Sequence, residues 1–397
     1  MNFEIVSVIG FLIFLVLIIY KDRKNIEIKS LLFIKRSQSG KKFIYDFSKK
    51  HEKILRLIGT IAVIVGFIAS IYAIWLLSES TINLFLKLFY KKEVAIKPFK
   101  LILPTVSGVR LPGFILGVPF WYWIIGVFVV MFAHEPMHAF LARVEKVRIK
   151  SFGVLLLLIL PGAFVEPDDN QLKKLSRMKK LRIYAAGSFG NFIIGSLFIL
   201  LFLSYNFSLN QIMKPEGVVF TKTVDKSPAQ EVGLNGVIIE VNSKSIKSIS
   251  DFENVMKNVK PNDVITIKTT SGAFDIKTST NPDVPELPFI GIEYPRTYLV
   301  YSGILNGKGP VSINAMNIIF WFLDLFGWLI LLNLGIGVFN LLPAKPLDGG
   351  LMFEEVIGIF YKGENKEKIV QIVSVTILIL ILINLFGENI INLFKFG

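Results

Sequence analysis

The sequence has no cysteine in its 397 residues. A disulfide framework is therefore excluded, and any transition metal must be held by histidine and carboxylate donors. Histidine is itself scarce: His51, His134 and His138 are the three in the chain. Charge is thin too, at 19% Asp, Glu, Lys and Arg, against about 25% in soluble domains. What is abundant is apolar: 53% hydrophobic residues, with 35 Phe, and a mean hydropathy of +0.59. The chain is long enough for two or three soluble domains, but this composition belongs in a membrane.

A helix needs about 20 apolar residues to cross the hydrocarbon core. Stretches free of charge give six candidates, at 5–20, 57–78, 111–133, 183–213, 325–344 and 369–387. The first is the shortest. Only Met1, Asn2, Phe3 and Glu4 precede it, with no basic region and no small-residue cleavage site, so it reads as a retained anchor rather than a removable signal peptide. The formal net charge is +14. Its Lys and Arg lie in loops beside apolar spans and not along one basic face, which favours membrane orientation over nucleic-acid binding.

Short basic loops stay in the cytoplasm. The loop 21–53, from Lys21 to Lys53, and the loop after the third span, from Arg143 to Arg182, are both dense in Lys and Arg. They put the N-terminus outside, although the loop 79–110 on the external side keeps Lys87, Lys91, Lys92, Lys97, Lys100 and Arg110. Between the fourth and fifth spans, residues 217–294 change to short strand-like runs at 217–224, 236–241, 264–269 and 274–278, with helical pieces at 227–232 and 249–259. This is a small α+β insert, outside the cytoplasm on the same topology. It resembles a PDZ domain: SPAQEVG (227–233) is similar to that fold's short helix, GVIIEVN (236–242) to the strand after it, and FIGIE (289–293) to its carboxylate-binding strand.

Two of the three histidines, His134 and His138, stand four apart in the third span with Glu135 between them. Positions i and i+4 share a helix face, so both imidazoles reach one metal, and Glu135 can approach a water on it. HExxH is the zinc-hydrolase signature: Zn2+ lowers the water's pKa toward 7 and the glutamate takes its proton. In a soluble protein the same five residues are as readily two surface histidines. In a hydrocarbon-depth helix three ionisable groups on one turn are costly, and such groups are functional by default. Pro136, inside the motif, removes a backbone hydrogen bond and is expected to kink the helix; it is as readily an ordinary membrane-helix proline.

A catalytic zinc usually takes three protein ligands and keeps one position open. His51 lies in the basic loop, so a carboxylate is the better third donor. NLLPAKPLDGG (340–350) ends the fifth span and carries Asp348 before Gly349 and Gly350; the competing reading is a polar turn capped by Asp348. The third and fifth spans cross in the same direction. HExxH and Asp348 both fall near the C-terminal ends of theirs, hence at similar depth toward the cytoplasmic leaflet. Should Asp348 not be the ligand, Glu166 is the next candidate.

HEPMH, GSFGN (187–191) in the next span, the PDZ-like insert and NLLPAKPLDGG together resemble the site-2 protease family of intramembrane zinc proteases, over roughly residues 115–350. The resemblance implies His134, His138 and Asp348 as zinc ligands and Glu135 as general base. It implies that Asn340, of the NxxPxxxxDG pattern, holds or polarises the substrate strand, and that Asn191, of GxxxN counted from Gly187, also contacts substrate; an interhelical hydrogen bond explains either asparagine as well. It implies that SFGVLLLLILPGAFVEPDD (151–169), apolar yet too short to cross, is a re-entrant β-like loop presenting an edge to an extended substrate, where an interfacial helix is the alternative. The first two spans and their basic loop lie outside the resemblance.

The expected molecule is a polytopic α-helical membrane protein of about six transmembrane segments with a small α+β PDZ-like extracytoplasmic domain. Its parts are two N-terminal spans with a basic cytoplasmic loop (1–110), the first part of a catalytic membrane core (111–213), the PDZ-like domain (214–295), the second part of the core (296–350) and a C-terminal span (351–397). The expected activity is zinc-dependent hydrolysis of a peptide bond in or near the bilayer. The expected partner is a single-pass membrane protein, already trimmed elsewhere, and not nucleic acid. A metal or solute transporter would hold the same polar groups without chemistry, but would show a repeat between halves, and none is visible. A non-catalytic PDZ scaffold would not need Glu135.

Overall fold

The structure is a computed structural model and describes residues 3–30, 32–90, 99–106, 111–157, 160–281, 284, 286–302 and 311–395. Among the described residues, six helices are long and apolar enough to cross a membrane: α1 (Phe3–Lys21), α3 (Glu52–Tyr90), α4 (Phe120–Val144), α6 (Arg177–Ile212), α9 (Ile313–Asn340) and α11 (Gly363–Lys395). The chain is thus a polytopic helical membrane protein. Shorter helices are α2 (Lys41–Lys50), α5 (Asp169–Lys173), α7 (Pro228–Glu231), α8 (Ile249–Met256) and α10 (Asp348–Phe360). Two compact units result: residues 1–200 with 325–397, and residues 201–324.

The third span departs from its sequence bounds. Pro112-Gly113 and Pro119 cannot sustain a helix, since proline lacks the N–H and drives the residue before it to extended backbone. A strand (Leu101–Thr105) and a second (Ile115–Pro119), β3 and β4, pair in parallel there, and α4 begins at Phe120. It then continues past HExxH to Val144, so His134 and His138 sit in the second half of the helix and not at its end. The helix runs unbroken through Pro136.

Residues 151–157 and 160–167, the described part of this stretch, form strands. β5 (Ile149–Leu157) and β6 (Leu160–Pro167) pair antiparallel, with Pro161 and Gly162 inside β6 opposite Leu156 and Leu155. The basic loop, whose purpose the sequence leaves unread, supplies β1 (Ile26–Lys29) and β2 (Leu32–Ser37), and β2 pairs with β5. The sheet order is β1-β2-β5-β6, which leaves β6 at an edge. After the hairpin, α2 lays Ile44 and Phe47 on α4: Ile44 is buried with Ala139 and Leu141, and the Phe47 and Phe140 rings lie 4.9 Å apart. Its lysines stay outward, as an amphipathic helix requires.

Helices α3, α6 and α10 and the turn after α9 share a core of Ala62, Val63, Ala185, Leu341 and Met352. Small residues let the helices close up, as apolar surroundings reward close packing more than hydrophobic burial. Further along α3, Asn384 of α11 donates to Thr81 Oγ1 at 2.7 Å and to the Leu77 carbonyl at 3.2 Å. An ion pair of the buried Glu145 with the partly buried Arg182, Nη1 to Oε1 at 2.9 Å, ties α6 to the end of α4, and Arg182 also donates to Thr60 of α3 at 3.1 Å.

In the second unit a five-strand path runs β12-β11-β9-β7-β16, from β7 (Met213–Val219), β9 (Ile238–Val241), β11 (Val264–Thr269), β12 (Gly272–Lys277) and β16 (Arg296–Tyr301). Of the two-residue strands, β10 (Lys244–Ser245) pairs with β9, while β8 (Lys222–Thr223) with β15 (Ile292–Glu293) and β13 (Ser279–Thr280) with β14 (Pro288–Phe289) form two separate pairs. Alternation in VITIKT buries Ile265, Ile267 and Thr269, and these isoleucines join Ile238, Phe252 and Ile276 in one core. Ser248 caps α8 in a reciprocal box with Asp251, and the Ser248 hydroxyl, donating to Asp251 Oδ2 at 3.0 Å, holds that carboxyl below its usual range. FIGIE does not form one strand: β15 pairs with β8 instead. The sheet reaches beyond 214–295, because β16 pairs with β7 from Met213↔Tyr301 to Arg296↔Val219.

Candidate metal centre

His134 and His138 project from one face of α4, one turn apart, as HExxH spacing dictates. Their Nε2 atoms are 3.1 Å apart. Asp348 enters from α10, where Leu341 and Leu342 turn out of α9 and the chain reverses through Ala344 to Leu347. Its Oδ2 lies 3.2 Å from His134 Nε2 and 3.4 Å from His138 Nε2. As the first residue of α10 it also faces the positive end of a helix, which favours a carboxylate. The glycines after it serve close approach: a Cβ on Gly349 would strike the backbone of Leu341, and one on Gly350 would come to 2.5 Å from the Ala344 carbonyl carbon.

These three donors are the group that can hold a metal ion among the described residues. The fit is quantitative. A tetrahedral ion with bonds of about 2.0–2.1 Å to N and O keeps its donors about 3.3–3.4 Å apart, and the three observed separations run from 3.1 to 3.4 Å. The donor set, two imidazoles and a carboxylate, suits zinc. Space is kept by Gly187 on α6: a Cβ there would overlap His138 Nε2 and lie 2.6 Å from His134 Nε2. Glu166, the alternative donor, is turned away, with Ser151 Oγ at 2.6 Å and Arg36 at 3.7 Å.

The chain belongs to peptidase family M50. The family's model matches residues 122–383, a stretch that holds His134, His138, Asp348 and Gly187, and this is the site-2 protease family that the motifs resemble. A protein of Methanocaldococcus jannaschii described as uncharacterized is 28% identical over 349 residues, which are 87% of this chain and 83% of that one. A provisionally named zinc metalloprotease of Clostridium perfringens is 24% identical over 316 residues, 62% of this chain and 89% of its own length. Zinc is the cofactor that goes with this membership, and the His134, His138 and Asp348 group is where the chain has the chemistry to hold it.

The remaining expected residues fall at different distances from the group. Glu135 Oε2 accepts from the backbone N–H of Val165 on β6 at 2.9 Å, so the hairpin touches the residue between the histidines. Asn340 ends α9, half-buried. Asn191, expected on substrate, is wholly buried, with Nδ2 3.1 Å from His134 Nδ1. Contacts that sequence reasoning missed are Ile183, whose carbonyl is 2.7 Å from His138 Nδ1, and Ser188, whose Oγ is 3.5 Å from Asp348 Oδ2. GSFGN was a signal for Gly187 and Ser188; nothing local pointed to Ile183 or Val165.

Proposed function

We propose that the chain is an intramembrane zinc endopeptidase that hydrolyses a peptide bond of a membrane-protein substrate within or beside the bilayer. The observation that carries this reading is a metal-sized group of two histidines and an aspartate, 3.1–3.4 Å apart, held among long apolar helices with a glutamate between the histidines. His134, His138 and Asp348 would hold a zinc ion, which would supply a Lewis acid able to bring the pKa of a water toward 7. Glu135 is placed to take the proton of the attacking water as the water's oxygen bonds to the scissile carbonyl carbon. Glu135 then delivers the proton to the departing nitrogen as the C–N bond breaks. The Val165 N–H leaves the second carboxylate oxygen of Glu135 for this work.

The substrate class follows from backbone chemistry. An intact transmembrane helix hides its carbonyls in hydrogen bonds and must unwind before attack. The unwound segment, taken from a single-pass protein already trimmed elsewhere, adds to the edge of β6, with Asn340 holding the strand. The site lies toward the cytoplasmic leaflet. The PDZ-like unit is extracytoplasmic and filters substrates by their external size or exposed ends, taking no part in the chemistry.

The test compares wild type with Glu135→Gln in detergent, reading zinc content and cleavage of candidate single-pass substrates. Cleavage should fall by about 10²- to 10⁴-fold with zinc retained, whereas His134→Ala, His138→Ala and Asp348→Asn should each lower zinc. Undiminished turnover in Glu135→Gln would remove the mechanism.

A further inference from the structure

The two imidazoles of the centre differ in what lies behind them. His138 Nδ1 faces the Ile183 carbonyl at 2.7 Å. A carbonyl only accepts, so His138 carries its proton on Nδ1 and presents a bare Nε2. His134 Nδ1 faces the Asn191 carboxamide at 3.1 Å. In the arrangement recorded, Nδ2 points at His134, which suits an imidazole protonated on Nε2 and bonded to Asp348. Asn191 Oδ1 is then buried with no partner. A carboxamide has the same shape at both ends and can present its acceptor where its donor stood.

We propose that Asn191 is a positioning residue for the metal centre: its side-chain oxygen accepts a hydrogen bond from Nδ1–H of His134 and so keeps Nε2 of that imidazole free for the metal. The proposal rests on the reading of His134 as a ligand. Asn191 is 0% exposed, on α6 one turn beyond Gly187, and what its amide meets is the back of a ligand. The carboxamide serves both states of the centre, donating to His134 without metal and accepting from it with metal. A carboxylate would serve the loaded state alone, and an apolar side chain neither.

Full-length wild type, Asn191→Asp and Asn191→Leu in detergent separate these roles, with zinc affinity read by chelator competition and the visible spectrum read after loading with Co2+. Second-sphere partners of a metal's histidine are worth about 10- to 100-fold in affinity. The leucine variant should lose that much and shift the cobalt spectrum. The aspartate variant should stay within about threefold of wild type, since only the acceptor matters once metal is bound. Asn191→Ala should share the leucine loss, and takes its place if leucine prevents folding. Wild-type affinity in the leucine or alanine variant, with cleavage lost, would put Asn191 on the substrate and overturn the proposal. An aspartate variant as weak as the apolar ones would also overturn it. Failure of the wild type to bind zinc would refute the metal reading itself, a result distinct from any difference among the variants.

Discussion

The backbone N–H of Val165 donates to Glu135 Oε2 at 2.9 Å, joining the HExxH helix to a strand thirty residues on. Val165 pairs with Phe152 of β5 in the ladder, yet its N–H is spent on Glu135. Val165→Pro therefore removes that donor. A hydrogen bond to a charged group contributes about 1.5–3 kcal/mol, so cleavage should fall about 10- to 150-fold with zinc content unchanged. Val165→Ala keeps the N–H and should keep activity. Equal losses in the two variants would mean that the side chain matters and the hydrogen bond does not.

Gly187 leaves the room in which the histidine nitrogens converge. Gly187→Ala puts a methyl 2.6 Å from His134 Nε2, and no movement of a flexible tip relieves it, because both imidazoles are held from behind. Zinc affinity should drop by about 10- to 100-fold, as when a ligand's support is disturbed, measured by chelator competition. Gly335 on α9 is the control: a Cβ there meets nothing within 4 Å. Gly335→Ala should keep zinc and gain up to about 1 kcal/mol of helix preference. Full zinc affinity in Gly187→Ala would contradict the crowding argument.

Glu145 is 1% exposed and pairs with Arg182 at 2.9 Å. Without Arg182 the buried Glu145 carboxylate keeps only Lys179, 3.9 Å away, and without Glu145 the partly exposed Arg182 loses its carboxylate, so each break costs up to about 3 kcal/mol, the low end for a buried pair. Glu145→Gln and Arg182→Met should each lower the unfolding temperature in detergent. The double variant should lose less than the sum, because no orphan charge remains. Strictly additive losses would show that the two residues act separately.

The ladder between β7 and β16 sets how the insert can be removed. Cutting at 217 and 294 would leave Met213–Val219 and Arg296–Tyr301 without the rest of their sheet. Replacing residues 213–301 with a Gly/Ser bridge removes the sheet whole. On the filter reading, this variant keeps zinc and cleaves untrimmed substrates that wild type refuses. An unchanged preference for trimmed substrate, at equal zinc content, would sink the filter.

Some of this was legible because it is local. An i, i+4 pair shares a helix face in any α-helix, so His134, His138 and Glu135 could be grouped from five letters. Six apolar runs read as spans because only length and hydropathy decide crossing. Asp348 came from counting crossings, which uses membrane direction and no contact. The edges were less readable: the run 111–133 has no charge inside it to mark where the helix starts, and only its prolines distinguish strand from helix up to residue 119. FIGIE looked like one strand and is divided, since Gly291 has a positive φ of 82° that breaks the ladder.

The sequence alone determined that the chain lives in a membrane, that HExxH sits on one of its helices, and that a cysteine-free metal site must use histidine and carboxylate. These follow from composition and helix period, which need no partner. Tertiary structure decided that Asp348 closes to 3.2 and 3.4 Å on the two imidazoles, that Gly187 leaves the room between them, that Ile183 and Asn191 hold their far sides, and that Val165 holds Glu135. Those residues lie 30 to 214 positions apart from the groups they serve, and separations of that kind are set by which small residues let α4, α6 and α10 close together, a property of packed surfaces that no single segment carries.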